Sequence, residues 1–350
     1  MSISTLNDIF FAIIERNRDR VMLHREAIQW VPVSTQELYR SVAAIARTLL
    51  SWGIVAGDRV AILSENRPEW PMTDFACQLI GAVAVPVYST LTAEQTCFIL
   101  QDAGCRIVFV SSEQQLRKVQ SVQSQTRVEK LVVMDAVDTG TAFSFARLVH
   151  DAPATRDPEL DALARAISPD DLATIIYTSG TTGVSKGVML THGNMASNIE
   201  YSLKGFDLGD EQVSVSFLPL SHVTARHVDF AMLFNGVTLA YCPFVDQLPQ
   251  ALLEVQPTVF VSVPRVYEKI HARADLKARG FPKKLVFRWA LAVGRAHEPE
   301  ILAGKTPASP VWKLADKLVY SKVREGMGGH GQIFISGGAP LGRELAEWFA

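Results

Sequence analysis

No uninterrupted apolar stretch in this chain approaches the ~20 residues that cross a bilayer. The longest candidate, around Leu79 to Val85, stops at Pro86. Charge of one sign is also missing: 34 Lys and Arg face 36 Asp and Glu. A net charge of −2 gives the chain as a whole no electrostatic footprint for nucleic acid or an anionic membrane. The four cysteines, Cys77, Cys97, Cys105 and Cys242, show no CxxC spacing, which argues for buried free thiols in a reducing compartment. The N-terminus has no basic segment followed by an apolar one, so a secretory signal is not expected. Internal repeats and low-complexity tracts are absent as well. Cytoplasmic placement follows, with peripheral contact at the inner membrane face left open.

What is present describes an ordinary globular chain. Its 350 residues, 48% apolar and 20% charged, suffice for about two domains with a sizeable core. Apolar positions at helical spacing, Leu38, Val42, Ile45 and Leu49, predict a helix over 35–52. Strands at 60–63, 82–88 and 106–110 alternate with helices at 71–80 and 93–103, a succession that argues for parallel pairing. Residues 151–171, rich in proline and aspartate, read as a linker or long loop. A helix from His192, strands at 213–218, 238–241 and 258–263, and a mostly helical region over 267–328 follow. Pro340 is expected to open a last helix carrying Leu341, Leu345, Trp348 and Phe349, which then runs to Ala350 without a stop signal.

The segment that carries chemistry is Tyr177-Thr178-Ser179-Gly180-Thr181-Thr182-Gly183-Val184-Ser185-Lys186-Gly187-Val188, entered from the apolar run Ala173–Ile176. Glycines let backbone N–H groups approach a polyphosphate, hydroxyls add donors, and a lysine adds a point charge. Gly180 and Lys186 match the glycine-to-lysine separation of a Walker A loop. Ser185 stands where that motif needs its last glycine, however, and Gly187 where it needs Ser or Thr. A plain Gly/Ser/Thr surface loop is the bland alternative. The length of the run and its lysine weigh against it.

The stretch 177–195, YTSGTTGVSKGVMLTHGNM, resembles the phosphate-loop signature of the adenylate-forming enzymes, which include acyl-CoA synthetases, luciferases and peptide-synthetase adenylation domains. Ser185 stands where the family usually has proline. Phe217–His222 is similar to the substrate-side motif. Ile335-Ser336-Gly337-Gly338-Ala339-Pro340-Leu341 is similar to the adenine-side segment. Residues 63–70, 85–92, 284–290 and 314–324 resemble long-chain fatty-acid CoA ligases in particular, the last two standing for a helical insert. The resemblance implies an α/β fold, the large N-terminal domain of the acyl-CoA synthetase/luciferase type, with mostly parallel sheets flanked by helices. It implies two subdomains, 1–170 and 171–350, the second carrying the phosphate loop and the adenine-side motif.

It also implies an AMP-forming acid–thiol ligase: a fatty acid is activated by ATP to an acyl-adenylate, then passed to CoA. By resemblance Thr178 and Lys186 are the catalytic pair, and Ser179, Gly180, Thr181, Thr182 and Gly183 join them on the nucleotide. Gly337, Gly338, Ala339 and Pro340 border adenine, and His222 positions the acyl substrate, with Arg226 and His227 as further candidates for that wall. Thr178 and Thr182 are candidate oxygen ligands for Mg²⁺. The family's Tyr-Gly-x-Thr-Glu segment, ribose-binding aspartate and late lysine do not occur in these 350 residues. The expectation is therefore an incomplete chain, truncated before the small C-terminal domain, that completes neither half-reaction efficiently. A nucleotide- or acyl-binding module without turnover is the alternative, as is a ligase for a shorter or aryl acid. No nucleic-acid partner is expected.

Overall fold

The computed structural model describes residues 3–137, 140–150, 152, 155–179 and 185–349. Thirteen strands are present among them. They are β1 Met22–Glu26, β2 Gln29–Val33, β3 Arg59–Leu63, β4 Val83–Val87, β5 Ile107–Val110, β6 Lys130–Val133, β7 Phe143–Ser144, β8 Leu172–Ser179, β9 Ser185–Thr191, β10 Val213–Ser216, β11 Thr238–Tyr241, β12 Val259–Ser262 and β13 Ile333–Ser336. The chain forms two compact units: Met1–Glu211 with Ser216–Val245, and Gln212–Val215 with Asp246–Ala350. The strand that opens the expected second subdomain is bonded into the first unit. β8 pairs β4 in parallel, with Ala84 opposite Thr174.

The first unit is built on a seven-stranded sheet in the order β7-β6-β5-β3-β4-β8-β9. All its pairings are parallel except the last, β8 with β9. Strands covered on both faces read as continuous apolar runs, and Val60–Leu63, Val83–Val85 and Ile107–Val110 are all buried. Helix Thr35–Ser51 lays Leu38, Val42, Ile45 and Leu49 into the core. It starts where expected because Ser34 and Glu37 form a capping box: the Glu37 N–H donates to Ser34 Oγ at 3.1 Å and the Ser34 N–H to Glu37 Oε2 at 2.7 Å. A smaller group in the same unit sets β1 parallel to β11 and antiparallel to β2.

The expected loop at 151–171 contains a helix, Pro158–Arg165. Asp157 caps it and accepts two bonds from Arg47, both at 2.6 Å, while Tyr39 donates to Asp161. The proline and aspartates that suggested a loop are a helix-start signal, Pro at the first turn behind an Asp cap.

In the second unit β10, β12 and β13 run parallel, with Ser214 opposite Val259 and Ser262 opposite Ser336. Helices Pro264–Lys277, Lys283–Ala296, Glu298–Leu302, Pro310–Ala315 and Ser321–Glu325 follow β12, with a π-helical turn at Asp316–Tyr320. Phe287, Ala290, Val293, Ala315 and Val319 form their core. The last helix is Arg343–Phe349. Pro340 does not open it; the first turn closes on Gly342, whose carbonyl accepts from Leu345 and Ala346.

Candidate functional site

The phosphate-loop segment is a β-hairpin. β8 and β9 pair antiparallel with Thr178 opposite Lys186, Ser179 opposite Ser185 and Tyr177 opposite Gly187. Residues directly opposite in such a pair bring their Cβ atoms to ~5 Å. The hairpin thus sets a hydroxyl beside a cation at the mouth of the connecting loop, and both side chains are exposed. A Walker A loop runs from strand into helix. Here Lys186 lies on a returning strand, which removes the P-loop rival on geometry as well as on sequence. Gly180, Thr181, Thr182 and Gly183 lie outside the described residues, as does the side chain of Ser179.

Two neighbours fix the hairpin. The Tyr177 hydroxyl donates to Asp102 Oδ2 at 2.5 Å, and burial, with that carboxylate, raises the phenol well above its ordinary value. Gly187 lies against the same ring: a Cβ there would meet Ile175 Cγ2 at 2.7 Å and the Tyr177 ring at 3.2 Å. The glycine after the lysine therefore serves packing of the hairpin.

His222 caps helix Val223–Phe234, with Nδ1 accepting from the Thr224 N–H at 3.1 Å. The cap fixes the ring and, in the neutral tautomer, leaves the proton on Nε2 of an exposed side chain. One turn on, Arg226 is fully buried. Its Nε and Nη2 each donate to Asp74 at 2.7 Å, and Gln78 adds a bond to the same carboxylate at 2.9 Å. Arg226 thus ties this helix to helix Glu69–Leu79 and does not stand on an open wall beside His222. His227 is half-buried, and burial lowers its pKa.

Asn66, read from sequence only as part of an exit turn, holds the strand that leads to His222. Its Nδ2 donates to Ser216 Oγ at 3.0 Å and to the Leu218 carbonyl at 2.8 Å, while Oδ1 accepts from the Leu220 N–H at 3.3 Å. Ser216 in turn donates to buried Asp229 at 2.6 Å. The only sequence signal for this clamp was its place in the 63–70 segment.

In the second unit Gly337 follows β13, and its N–H donates to the Ser262 carbonyl at 2.9 Å. The carboxyl ends of β12 and β13 therefore lie side by side, the edge of a parallel sheet where ligands commonly bind. A Cβ on Gly337 would meet nothing within 4 Å, and Gly338 takes φ +79°, a conformation that favours glycine. Ala339 and Pro340 are exposed, and the buried hydroxyls of Ser262 and Ser336 have no partner among the described residues. A cavity of about 1030 Å³ in this unit has Tyr267, Phe334, Trp348 and Ser336 in its wall. Among the described residues no group of three or more His, Cys, Asp or Glu side chains could hold a metal. Of the two candidate Mg²⁺ ligands, Thr178 presents one exposed hydroxyl and Thr182 lies outside the described residues.

The chain is 34% identical over 348 residues to the long-chain-fatty-acid–CoA ligase FadD15 of Mycobacterium tuberculosis, covering 96% of this chain and 56% of that protein. It is 32% identical over 334 residues to the human long-chain-fatty-acid–CoA ligase ACSBG2, covering 92% of this chain and 50% of the relative. It thus spans about half the length of the curated relatives it matches. Among solved structures it is similar in fold to the N-terminal domain of FACL13 from Mycobacterium tuberculosis, with a TM-score of 0.72 at 21% identity over 99% of this chain and 73% of the other. The adenylation domain of a Mycobacterium chelonae carboxylate reductase aligns with a TM-score of 0.73 at 24% identity, over 99% of this chain and 55% of that one. The family model described as AMP-binding enzyme matches residues 10–350, and the chain belongs to that family.

Proposed function

We propose that this chain supplies the nucleotide- and acyl-binding part of a long-chain fatty-acid–CoA ligase. The observation that carries the reading is the β8–β9 hairpin, which sets Thr178 opposite Lys186 beside a loop rich in glycine and hydroxyls. Identity of 34% to a long-chain ligase supports the substrate class.

In the first step the fatty-acid carboxylate attacks the α-phosphorus of ATP. One P–O bond forms, the bond to the β-phosphate oxygen breaks, and pyrophosphate leaves. Negative charge moves onto the leaving group, so donors aimed there stabilise the transition state more than the ground state. Lys186 supplies the cation and Thr178 a hydroxyl donor, with Ser179, Gly180, Thr181, Thr182 and Gly183 around the phosphates. Gly337, Gly338, Ala339 and Pro340 offer a bare backbone for the adenine ring. His222, its ring fixed by the cap, presents Nε2–H toward the acyl carboxylate. Mg²⁺, with Thr178 and Thr182 among its oxygen ligands, would add charge neutralisation. In the second step the CoA thiolate attacks the acyl carbon and AMP departs.

Fatty-acid-dependent exchange of labelled pyrophosphate into ATP tests this, run with acetate, octanoate, palmitate and benzoate on the chain extended by the remaining C-terminal part of a long-chain ligase relative such as FadD15. Palmitate is expected to support the fastest exchange, and Lys186→Ala to lower it by about 10²-fold or more. Preference for acetate or benzoate overturns the long-chain reading. Saturable binding of ATP and palmitate with no exchange by the extended chain would point instead to a binding module without turnover.

A further inference from the structure

The connection that presents His222 is gripped on both sides by one distant stretch of chain. Asn66, in the turn between β3 and helix Glu69–Leu79, holds Ser216, Leu218 and Leu220 on the way in. Asp74, inside that helix, holds Arg226 on the way out, one turn into helix Val223–Phe234. His222 therefore stands between two fixed points, two residues after Leu220 and four before Arg226. All of these residues belong to the first unit, and Asn66, Ser216, Leu220, Asp74 and Arg226 are buried.

Asn66 is the more telling of the two grips. An amide side chain has two N–H donors and a carbonyl acceptor, and here all are engaged. The Leu218 carbonyl can only accept and the Leu220 N–H can only donate, so the partners fix which way the amide faces. β10 ends at Ser216 and Pro219 has no N–H, so this stretch lies outside any ladder and the Asn66 amide stands in for a neighbouring strand. Ser216 passes the constraint on, since it accepts from Asn66 and donates to Asp229, two turns into the helix that His222 caps. The bonds thus close a ring that begins and ends on that helix.

Apolar side chains would fill this corner without the desolvation cost of an amide, a hydroxyl and a carboxyl. What directional bonds add is a single geometry, imposed here on the connection that ends at His222. We infer that Asn66 is a positioning residue for the acyl substrate: it sets where the His222 ring stands against the fatty-acid carboxylate. This rests on the reading of His222 given above. The bonds of Asn66 run to Ser216, Leu218 and Leu220 and none to the β8–β9 hairpin, so its effect falls on the acid and not on ATP.

Two measurements test it. On the extended chain, pyrophosphate exchange gives kcat/KM for palmitate and the KM for ATP. Asn66→Ala is expected to lower the first by about tenfold or more, as misplacing a reacting group does, and to leave the second within about twofold. Ser216→Ala, which keeps the bonds to Leu218 and Leu220, should lower it less. Because Asn66 acts through His222, Asn66→Ala combined with His222→Ala should fall no further than His222→Ala alone. Tyr39→Phe, which removes a hydroxyl bonded to Asp161 elsewhere in the same unit, controls for lost stability and should leave the palmitate value unchanged. The second measurement uses the 350-residue chain labelled with nitrogen-15 histidine, in which His222→Gln identifies the His222 signals. At pH 8 the wild-type ring is expected to show a single tautomer with its proton on Nε2, and Asn66→Ala to move it toward the averaged values of a free imidazole. Multiplicative losses in the double variant, full palmitate activity of His222→Ala, matching rises in palmitate and ATP KM, or a His222 spectrum untouched by Asn66→Ala would each overturn the inference. An extended wild type without exchange would overturn the ligase reading instead, and the spectrum then decides alone whether Asn66 sets the ring.

Discussion

Asp229 is a buried acid whose carboxyl is pushed up to about 7 from an ordinary 3.8, because burial outweighs the hydrogen bond from Ser216. The stability tied to its protonated form is fully present below about pH 4 and is lost as pH rises through about 7. His192 works in the opposite sense. Burial lowers its pKa to about 4 from an ordinary 6.5, so its contribution is present above pH 6.5 and lost as pH falls through 4. The two oppose each other between those values, and from 6.5 upward the fall belongs to Asp229. Urea unfolding at pH 5, 6, 7 and 8 isolates the effect when wild type is set against Asp229→Asn. Relative to the variant, the wild type is expected to lose about 3 kcal/mol, at 1.36 kcal/mol per pH unit up to about pH 7, where the loss levels off. Parallel curves would show that Asp229 is ionised in the fold. Neither residue's titration is legible in sequence: an Asp seven residues after His222 reads as a solvated helix position, and only packing shows that it is dry.

At the scale of elements, the periodic helices and the apolar strands emerged within two or three residues of the expected bounds, because both rest on local patterns of burial. Thr35–Ser51 and the strands at 59–63, 83–87 and 107–110 are of this kind. Departures occur where a signal has two meanings. Pro158 behind Asp157 starts a helix in a stretch read as loop, and Pro340 stands three residues before one it was expected to open. Tight passages between elements depend on partners distant in sequence. Gly328 has φ +98°, and a Cβ there would lie 2.5 Å from the Leu252 carbonyl oxygen. Gly328→Ala is therefore expected to destabilise by more than about 1 kcal/mol, since both the conformation and the clash with backbone oppose it. Gly304→Ala, at φ +71° with nothing within 4 Å, should cost less. Equal urea midpoints for the two variants would contradict the steric account.

Over the whole molecule, all four cysteines are buried thiols outside any disulfide. Burial raises Cys77 well above its ordinary value and Cys105 to about 12, so neither presents a thiolate near neutral pH. An Ellman titration should find no fast-reacting thiol in the native chain and four in denaturant; a fast thiol under native conditions would refute the burial. No helix among the described residues is long and apolar enough to cross a membrane, in keeping with the lack of long apolar runs. The sequence by itself determined the α/β class, the main strands and helices, and the family, because apolar periodicity and a contiguous phosphate-loop segment are local properties of the chain. Only the tertiary structure decided that Lys186 returns on a strand opposite Thr178, that Arg226 is spent on Asp74, and that Asn66 holds the approach to His222. Each of these depends on which distant residue is adjacent in space, and adjacency is set by packing.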